Sequence, residues 1–307
     1  MRSLGSQSGP GELSPIGGVY KMPILVDFNQ IAISNLMINL KMNHINEVEE
    51  DMLRHMILNS LRFNRNKFSK EYGELIICCD GRNTWRKDVF PFYKQNRKKT
   101  RAASGYDWGK IFDVLNTIRE ELDEYFPYKV IHNDRAEADD IIAILAKNWI
   151  DEKVLILSGD KDFMQLQKFD NINQYSPVQK KFLRTKDPKE FLFEHIVRGD
   201  VGDGIPNCLS KDSTFVTGDR QKPVTKKRLD EWMKAGKVTT GDVTWFDRNR
   251  RLIDLEYIPE DLRDEIILQY EAAKPLHSGD ELAARRGLLN YFIKHRLSKL
   301  VPSIQEF

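Results

Sequence analysis

Three apolar runs in the chain each end in an aspartate. Ile24-Leu25-Val26 leads into Asp27, Leu75-Ile76-Ile77-Cys78-Cys79 into Asp80, and Val154-Leu155-Ile156-Leu157 into Ser158-Gly159-Asp160. Short continuous apolar runs separated by helical stretches read as strands buried on both faces of a mostly parallel sheet. In such α/β sheets the ligand site lies beyond the carboxyl ends of the strands, so the three aspartates are expected on one edge. Carboxylates gathered there repel one another unless a cation neutralises them. Hard oxygen donors favour Mg²⁺ or Mn²⁺ over zinc.

The surrounding chain supports an α/β fold followed by a helical region. Residues 30–64 read as helical, with Met52, His55, Met56 and Leu58-Asn59 facing inward. An amphipathic helix is expected over 107–126, from Trp108, Ile111, Phe112, Leu115, Ile118, Leu122 and Tyr125. Tyr128–His132 reads as a short strand and Arg135–Trp149 as a helix. After residue 190 the strand signal fades, and the chain turns helical around a Pro/Gly-rich turn at Gly199–Pro206. Three units follow: 1–21, of linker composition and expected to be disordered; 22–190, the α/β domain; and 191–307, the helical region. No apolar stretch approaches the ~20 residues needed to span a bilayer. The three cysteines, Cys78, Cys79 and Cys208, offer no disulfide framework, and a reduced, cytoplasmic setting fits them. No Cys/His spacing suggests zinc, and the six histidines are scattered.

Charge is unevenly spread. The chain carries +2 overall, yet residues 82–101 hold Arg82, Arg86, Lys87, Lys94, Arg97, Lys98, Lys99 and Arg101 against Asp88 alone. Trp85, Phe90, Phe92 and Tyr93 are interleaved among them, the mixture that nucleic-acid grooves use for phosphates and bases; the alternative is a solvated charged face. Lys94 and Arg86 are the candidates to contact a reacting phosphate. A second basic stretch, Arg220–Lys237, includes Lys222, Lys226, Lys227 and Arg228 and reads either as a duplex-backbone grip or as a solvated helix face.

The acidic motifs have ordinary readings as well. In Glu137-Ala138-Asp139-Asp140, acidic residues suit a helix N-terminus. Glu137 and Asp139 converge on one ion only if the first turn is irregular or lies outside the helix, since residues two apart do not share a face; Asp140 is assigned to N-terminal stabilisation. Asp160 and Asp162 lie in a turn at a strand's end. Asp200 and Asp203 occupy the Gly199–Pro206 turn, whose Gly202, Gly204 and Ile205 offer backbone groups to a phosphate or a monovalent ion.

Taken in order, ILVDF, LIICCDGRNTWRKDVFPFYKQNR, EADD, LSGDKDF and RGDVGDGIP resemble the flap endonuclease/5′-nuclease family. RQKPVTKKRLDEW, NRRLIDLEYIP and LSKLVPSIQEF point, within it, to the ribonuclease H branch of T-even-type phages. The resemblance spans Met22 to Phe307. It implies a PIN-like α/β nuclease fold with a basic arch at 82–106 and a helix–turn–helix variant in the C-terminal region. It also implies two Mg²⁺, replaceable by Mn²⁺. Asp27, Asp80, Glu137 and Asp139 would surround the first ion, and Asp160, Asp162, Asp200 and Asp203 the second, with Arg86 and Lys94 on the scissile phosphate. The implied activity is 5′-3′ hydrolysis of RNA primers in RNA–DNA hybrids and of nicked or 5′-flapped duplex DNA during lagging-strand replication. A monomer with a single-stranded-DNA-binding protein as partner is expected, with a sliding clamp as a further candidate. The family often binds K⁺ at the turn, but this chain has Gly204 and Asn207 where Asn and Gly are common, which argues against it. The rival reading is a structure-specific DNA-binding protein that has lost catalysis.

Overall fold

All three apolar runs form strands of one sheet. The computed structural model describes residues 23–43, 49–149, 152–239, 243–273 and 281–307; the expectation for 1–21 lies outside them. The strands are β1 (Ile24–Asp27), β2 (Leu75–Cys79), β3 (Lys129–His132), β4 (Val154–Leu157), β5 (Ile172–Ser176) and β6 (Lys181–Leu183). Their spatial order is β3-β2-β1-β4-β5-β6, parallel throughout except for β6, which runs antiparallel to β5. The chain therefore reverses its direction of travel across the sheet between β1 and β4. Beyond the carboxyl ends of those two strands lies the crevice where open α/β sheets place their ligands. β5 and β6 have no continuous apolar run to announce them: Asn173 and Gln174 interrupt the first, and the second is three residues long.

Helices cover both faces. On one lie α1 (Phe28–Asn43), α2 (Glu50–Tyr72) and, after the short α3 (Arg86–Val89) and α4 (Gln95–Ala103), α5 (Trp108–Tyr125). On the other lies α6 (Ala138–Asn148). Cys78 and Cys79 split between the two cores, as strand alternation requires, and all three cysteines are free and buried. The apolar stripe of α5 packs inward as its spacing requires. The helical reading of 30–64 takes the form of two helices, the second running on to Tyr72, but its inward face needs correction. The inward face of α2 is Leu53, Ile57, Leu58, Leu61, Phe68 and Tyr72, while Asn59 is exposed. Buried Arg54 displaces the predicted stripe, because its guanidinium meets Glu121 of α5 at 2.8 and 2.9 Å.

Beyond residue 187 come α7 (Pro188–Arg198), α8 (Thr214–Thr217), α9 (Lys226–Ala235), α10 (Val243–Ile253), α11 (Glu260–Ala272) and α12 (Glu281–Lys294). After α7 and its turn, α8 is a single helical turn; the next full helix begins only at Lys226. The C-terminal region shares the cores of the sheet. Leu288, Tyr291, Phe292, Leu300 and Phe307 pack with α2 and α5, and Leu262 and Ile266 with α6. Position 190 thus marks a change of secondary structure within continuous cores.

Candidate active site

Asp27 ends β1 and is buried. Its carboxylate accepts from Ser158 Oγ at 2.8 Å and from the Gln30 amide at 3.2 Å. Ser158, fully buried after β4, also accepts from the Asp160 amide at 3.0 Å, so one hydroxyl fastens the aspartates of two neighbouring strands. Asp80 follows β2, and its carboxylate accepts from the Ala138 amide at 2.8 Å, at the start of α6. The adjoining Gly81 is obligatory: a Cβ there would lie 2.2 Å from the Asn133 carbonyl, where the 81–85 segment pairs with 134–136. Glu137 is the extended N-cap residue of α6, and Asp139 lies in its first turn. This is the geometry that lets both converge. Asp140 caps the helix by accepting from the Glu137 amide at 2.9 Å.

Asp160 and Asp162 follow β4, with the Asp162 amide donating to Asp160 Oδ1 at 3.0 Å. Asp200 and Asp203 arrive on the turn after α7. Gly199 opens that turn at φ 68°, and a Cβ there would collide with the Ile205 carbonyl at 2.4 Å, so only glycine fits. The sequence reading overlooked His195. From the last turn of α7 its ring stands between two aspartates, with Nδ1 3.5 Å from Asp162 and Nε2 3.3 Å from Asp200. The only signal for it in the sequence is its position five residues before Asp200. Gln30, whose Oε1 accepts from the Gly159 amide at 3.2 Å, was also overlooked. Both residues line an open cleft of about 590 Å³ with Asp160, Asp162 and Asp200.

Electrostatics ties these carboxylates into one set. Burial, then the charges of Asp80 and Asp160, push Asp27 up to about 8. Asp139 is raised well above the ordinary carboxylate range by burial and by Asp160, Asp27 and Glu137. Asp80 is raised by burial and Glu137, and Asp162 to about 7 by burial and Asp160. Glu137 behaves oppositely. Burial alone would raise it, but Lys94 and Arg86 hold it at about 2. Hydrogen bonding and charge from His195 likewise keep Asp200 low against the effect of burial. Carboxylates raised so far stay ionised at neutral pH only when positive charge is brought to them, and their donors are hard oxygens. The residues therefore fit divalent cations.

The basic segment behaves otherwise than its composition suggests. Arg86 is buried, and its guanidinium is wholly committed. It donates to the Leu252 carbonyl at 2.9 Å and to Glu137 at 3.1 Å, and it contacts both oxygens of Asp140 at 2.8 and 2.9 Å. It is an internal brace, not placed to reach a phosphate. Tyr93 is buried too, its hydroxyl 2.7 Å from both Glu137 and Asp203 with a single proton to donate to one of them, and Trp85 and Phe90 are core residues. These three rings are therefore occupied by packing and are not free to stack on bases, while Phe92 is half-buried against Phe90. Lys94 reaches the site, its Nζ 2.5 Å from Glu137 and 3.6 Å from Asp203. Its backbone is left-handed (φ 58°), a strained state for a lysine, held by its amide's 2.7 Å bond to the Asp203 carbonyl. Arg82, Lys87, Lys98 and Lys99 are exposed and Arg101 is half-buried, while Arg97 is turned onto Asp203 and the Gly202 carbonyl.

The Gly199–Pro206 turn is similarly self-contained. Amides of Asp203, Gly204 and Ile205 donate within the turn. Carbonyls of Val201, Gly202, Asp203 and Pro206 accept from Asn96, Arg97, the Lys94 amide and Arg248. Gly204 and Ile205 are buried, and Ile205 packs on Phe90 and Tyr93. The amides of Asp203, Gly204 and Ile205 are thus spent within the turn. Farther out, Lys222, Lys226, Lys227 and Arg228 are all exposed at the start of α9.

Comparisons with known proteins agree with this geometry. A family model for the N-terminal resolvase-like domain of 5′-3′ exonucleases matches residues 36–194, and one for the C-terminal part of T4 ribonuclease H matches residues 188–307. The ribonuclease H of Enterobacteria phage T4 is 34% identical over 299 residues, 92% of this chain and 95% of that protein. The flap endonuclease Xni of Shewanella pealeana is 33% identical over 132 residues, 40% of this chain and 48% of that protein. The T5 D15 protein co-crystallised with metal ions shares the fold, with a TM-score of 0.56 at 17% identity, over 83% of this chain and all of that one.

Proposed function

The chain belongs to the 5′-3′ exonuclease family and is a nuclease, and from that premise we propose that it hydrolyses phosphodiesters at the 5′ ends of RNA–DNA hybrids and of nicked or flapped duplex DNA, using two Mg²⁺ ions. The observation that carries the reading is the convergence of strand-end and turn aspartates at the crevice between β1 and β4, several of them pushed far above the carboxylate range. Asp27, Asp80, Glu137 and Asp139 would hold one ion, and Asp160 and Asp162 the other, supported by Asp200 and Asp203. When bound, the ions supply the charge that polarises the phosphate and lowers the pKa of an attacking water.

The protein's own contributions are distinct. Ser158 and the Ala138 amide orient Asp27 and Asp80. Arg86 and Tyr93 fix Glu137 so that it need not move as charge develops. Lys94, partly exposed between Glu137 and Asp203, is the cation free to turn toward the phosphate. Lys98 and Lys99 on α4 would receive the single strand. Lys222, Lys226, Lys227 and Arg228 would grip duplex backbone: cations crowd a helix N-terminus whose dipole ordinarily favours acids, an arrangement an anionic ligand explains. Arg198 borders both the acidic cleft and a second cavity, lined also by Arg220 and Lys222, which leads toward α9. Removal of RNA primers on the lagging strand, in the cytoplasm of an infected cell and beside a single-stranded-DNA-binding protein, is the setting these substrates imply.

The test is one incubation of labelled 5′-flap, nicked duplex and RNA–DNA substrates with Mg²⁺, Mn²⁺ or EDTA. Cleavage from the 5′ end that EDTA abolishes supports the reading. Tight binding without cleavage under every condition overturns it in favour of a lapsed, structure-specific binder.

A further inference from the structure

We infer that His195 is a nitrogen ligand of the second cation site, with Asp200 holding the ring in place. This deepens the metal-dependent reading above and rests on it.

The geometry assigns different tasks to the two ring nitrogens. Nε2 faces Asp200 Oδ2 at 3.3 Å, while the other oxygen of Asp200 accepts from the Asp203 amide at 2.9 Å. Asp200 therefore has both oxygens engaged within the protein. Nδ1 is buried without any hydrogen-bond partner and lies 3.5 Å from Asp162 Oδ1. A buried polar atom left unpaired costs about 1–3 kcal/mol, a cost that a cation bound at Nδ1 would remove. One donor atom each from Asp162, His195 and Asp200 falls within 4.8 Å of the others. Ligands about 2.1 Å from a common ion stand roughly 3–4 Å apart, and Nδ1 and Asp162 Oδ1, at 3.5 Å, already have that separation. Phe191 packs against the ring edge with centroids 5.9 Å apart and limits its rotation.

A metal-bound imidazole ordinarily donates its other N–H to a carboxylate, which sets the tautomer. Asp200 at Nε2 leaves the lone pair on Nδ1, directed at Asp162. The donors at the second ion are then Asp162 and Asp160 oxygens plus one imidazole nitrogen, and Asp200 is a positioning residue. A nitrogen donor moves preference from Mg²⁺ toward Mn²⁺, Co²⁺ and Zn²⁺. The second site is thus tuned to a softer ion than the first.

The experiment is electron spin-echo envelope modulation of the Mn²⁺-loaded full chain, with Mn²⁺ affinity measured in parallel. Wild type should show imidazole ¹⁴N modulation that converts to ¹⁵N when only histidine is labelled. His195→Gln should lose it and weaken one Mn²⁺ site by about 10-fold or more. Asp200→Asn should weaken the site yet keep the modulation. Bound Mn²⁺ without nitrogen modulation in wild type, or modulation unchanged in His195→Gln, overturns the assignment while leaving the nuclease reading intact. If His195→Gln does not fold, the isotope switch identifies an imidazole donor and His195→Asn assigns it. Wild type that binds no Mn²⁺ at all defeats both readings.

Discussion

Two halves of one acidic pocket are neutralised in opposite ways. Around Glu137 and Asp203 the protein supplies its own cations: Lys94, Arg86 and Arg97, with the Tyr93 hydroxyl between the carboxylates. Around Asp27, Asp80 and Asp139 the charges that raise each carboxyl come from the other acids. Glu137 accordingly sits near 2 and Asp27 near 8. Burial is similar, so partners make the difference. A buried carboxylate with an internal counter-ion is already neutralised, and one without calls for an external cation. On the proposed reading the ions therefore lie mainly on the β1–β4 side, with Glu137 and Lys94 on the boundary between the halves.

The largest expected effect breaks the cation-free half. Asp139→Asn should cut turnover by about 10³-fold while the EDTA-treated protein melts no lower than wild type, because a repulsive charge has been removed. Wild-type turnover would sink the distinction. On the self-neutralised side, Arg86→Ala should cost about 3–5 kcal/mol of stability in urea unfolding, since it strands Asp140 and Glu137 as buried charges. A variant that folds normally and loses only catalytic rate would return Arg86 to the phosphate. Lys94→Ala should slow the single-turnover step by about 10²-fold with little change in substrate affinity; the reverse pattern would make Lys94 a binding residue.

A smaller effect sharpens the contrast through pH. Raised groups such as Asp27 (about 8) and Asp162 (about 7), against an ordinary 3.8, contribute stability that is complete below 3.8 and lost as pH rises through their folded values. Glu137, lowered to about 2 from 4.5, contributes above 4.5 and loses its contribution only as pH falls toward 2. The melting temperature of metal-free protein should therefore fall between pH 5 and about 8.5, and Mg²⁺ should restore it at the upper end. A flat profile would contradict the unpaired state of these acids. Smallest of all, Lys226→Ala and Lys227→Ala should each lower the salt slope of duplex binding by about 1 with single-turnover cleavage unchanged; an unaltered slope would release α9 from the DNA.

The sequence carried the sheet and its acidic edge because both are local patterns. A continuous apolar run ending in Asp is a buried strand with a carboxylate at its carboxyl end, and three of them suffice to expect one site. Strands such as β5, with Asn173 and Gln174 inside it, were not visible, because their polar groups are satisfied only by neighbours: Gln174 reaches the Ser158 carbonyl at 3.1 Å. The phase of α2 was misread because Arg54 is buried on Glu121, a residue 67 positions away.

Tertiary structure alone decided which charges are tools and which are braces. Arg86, Lys94 and Lys98 are alike as cations of one basic run, yet one is walled in by Asp140 and Glu137, one bridges the pocket, and one faces water. His195 becomes a candidate ligand only when α7 packs beside the turn at Asp162. Residue type sets what a side chain is able to do, and its partners across the fold, which periodicity does not encode, set what it is free to do.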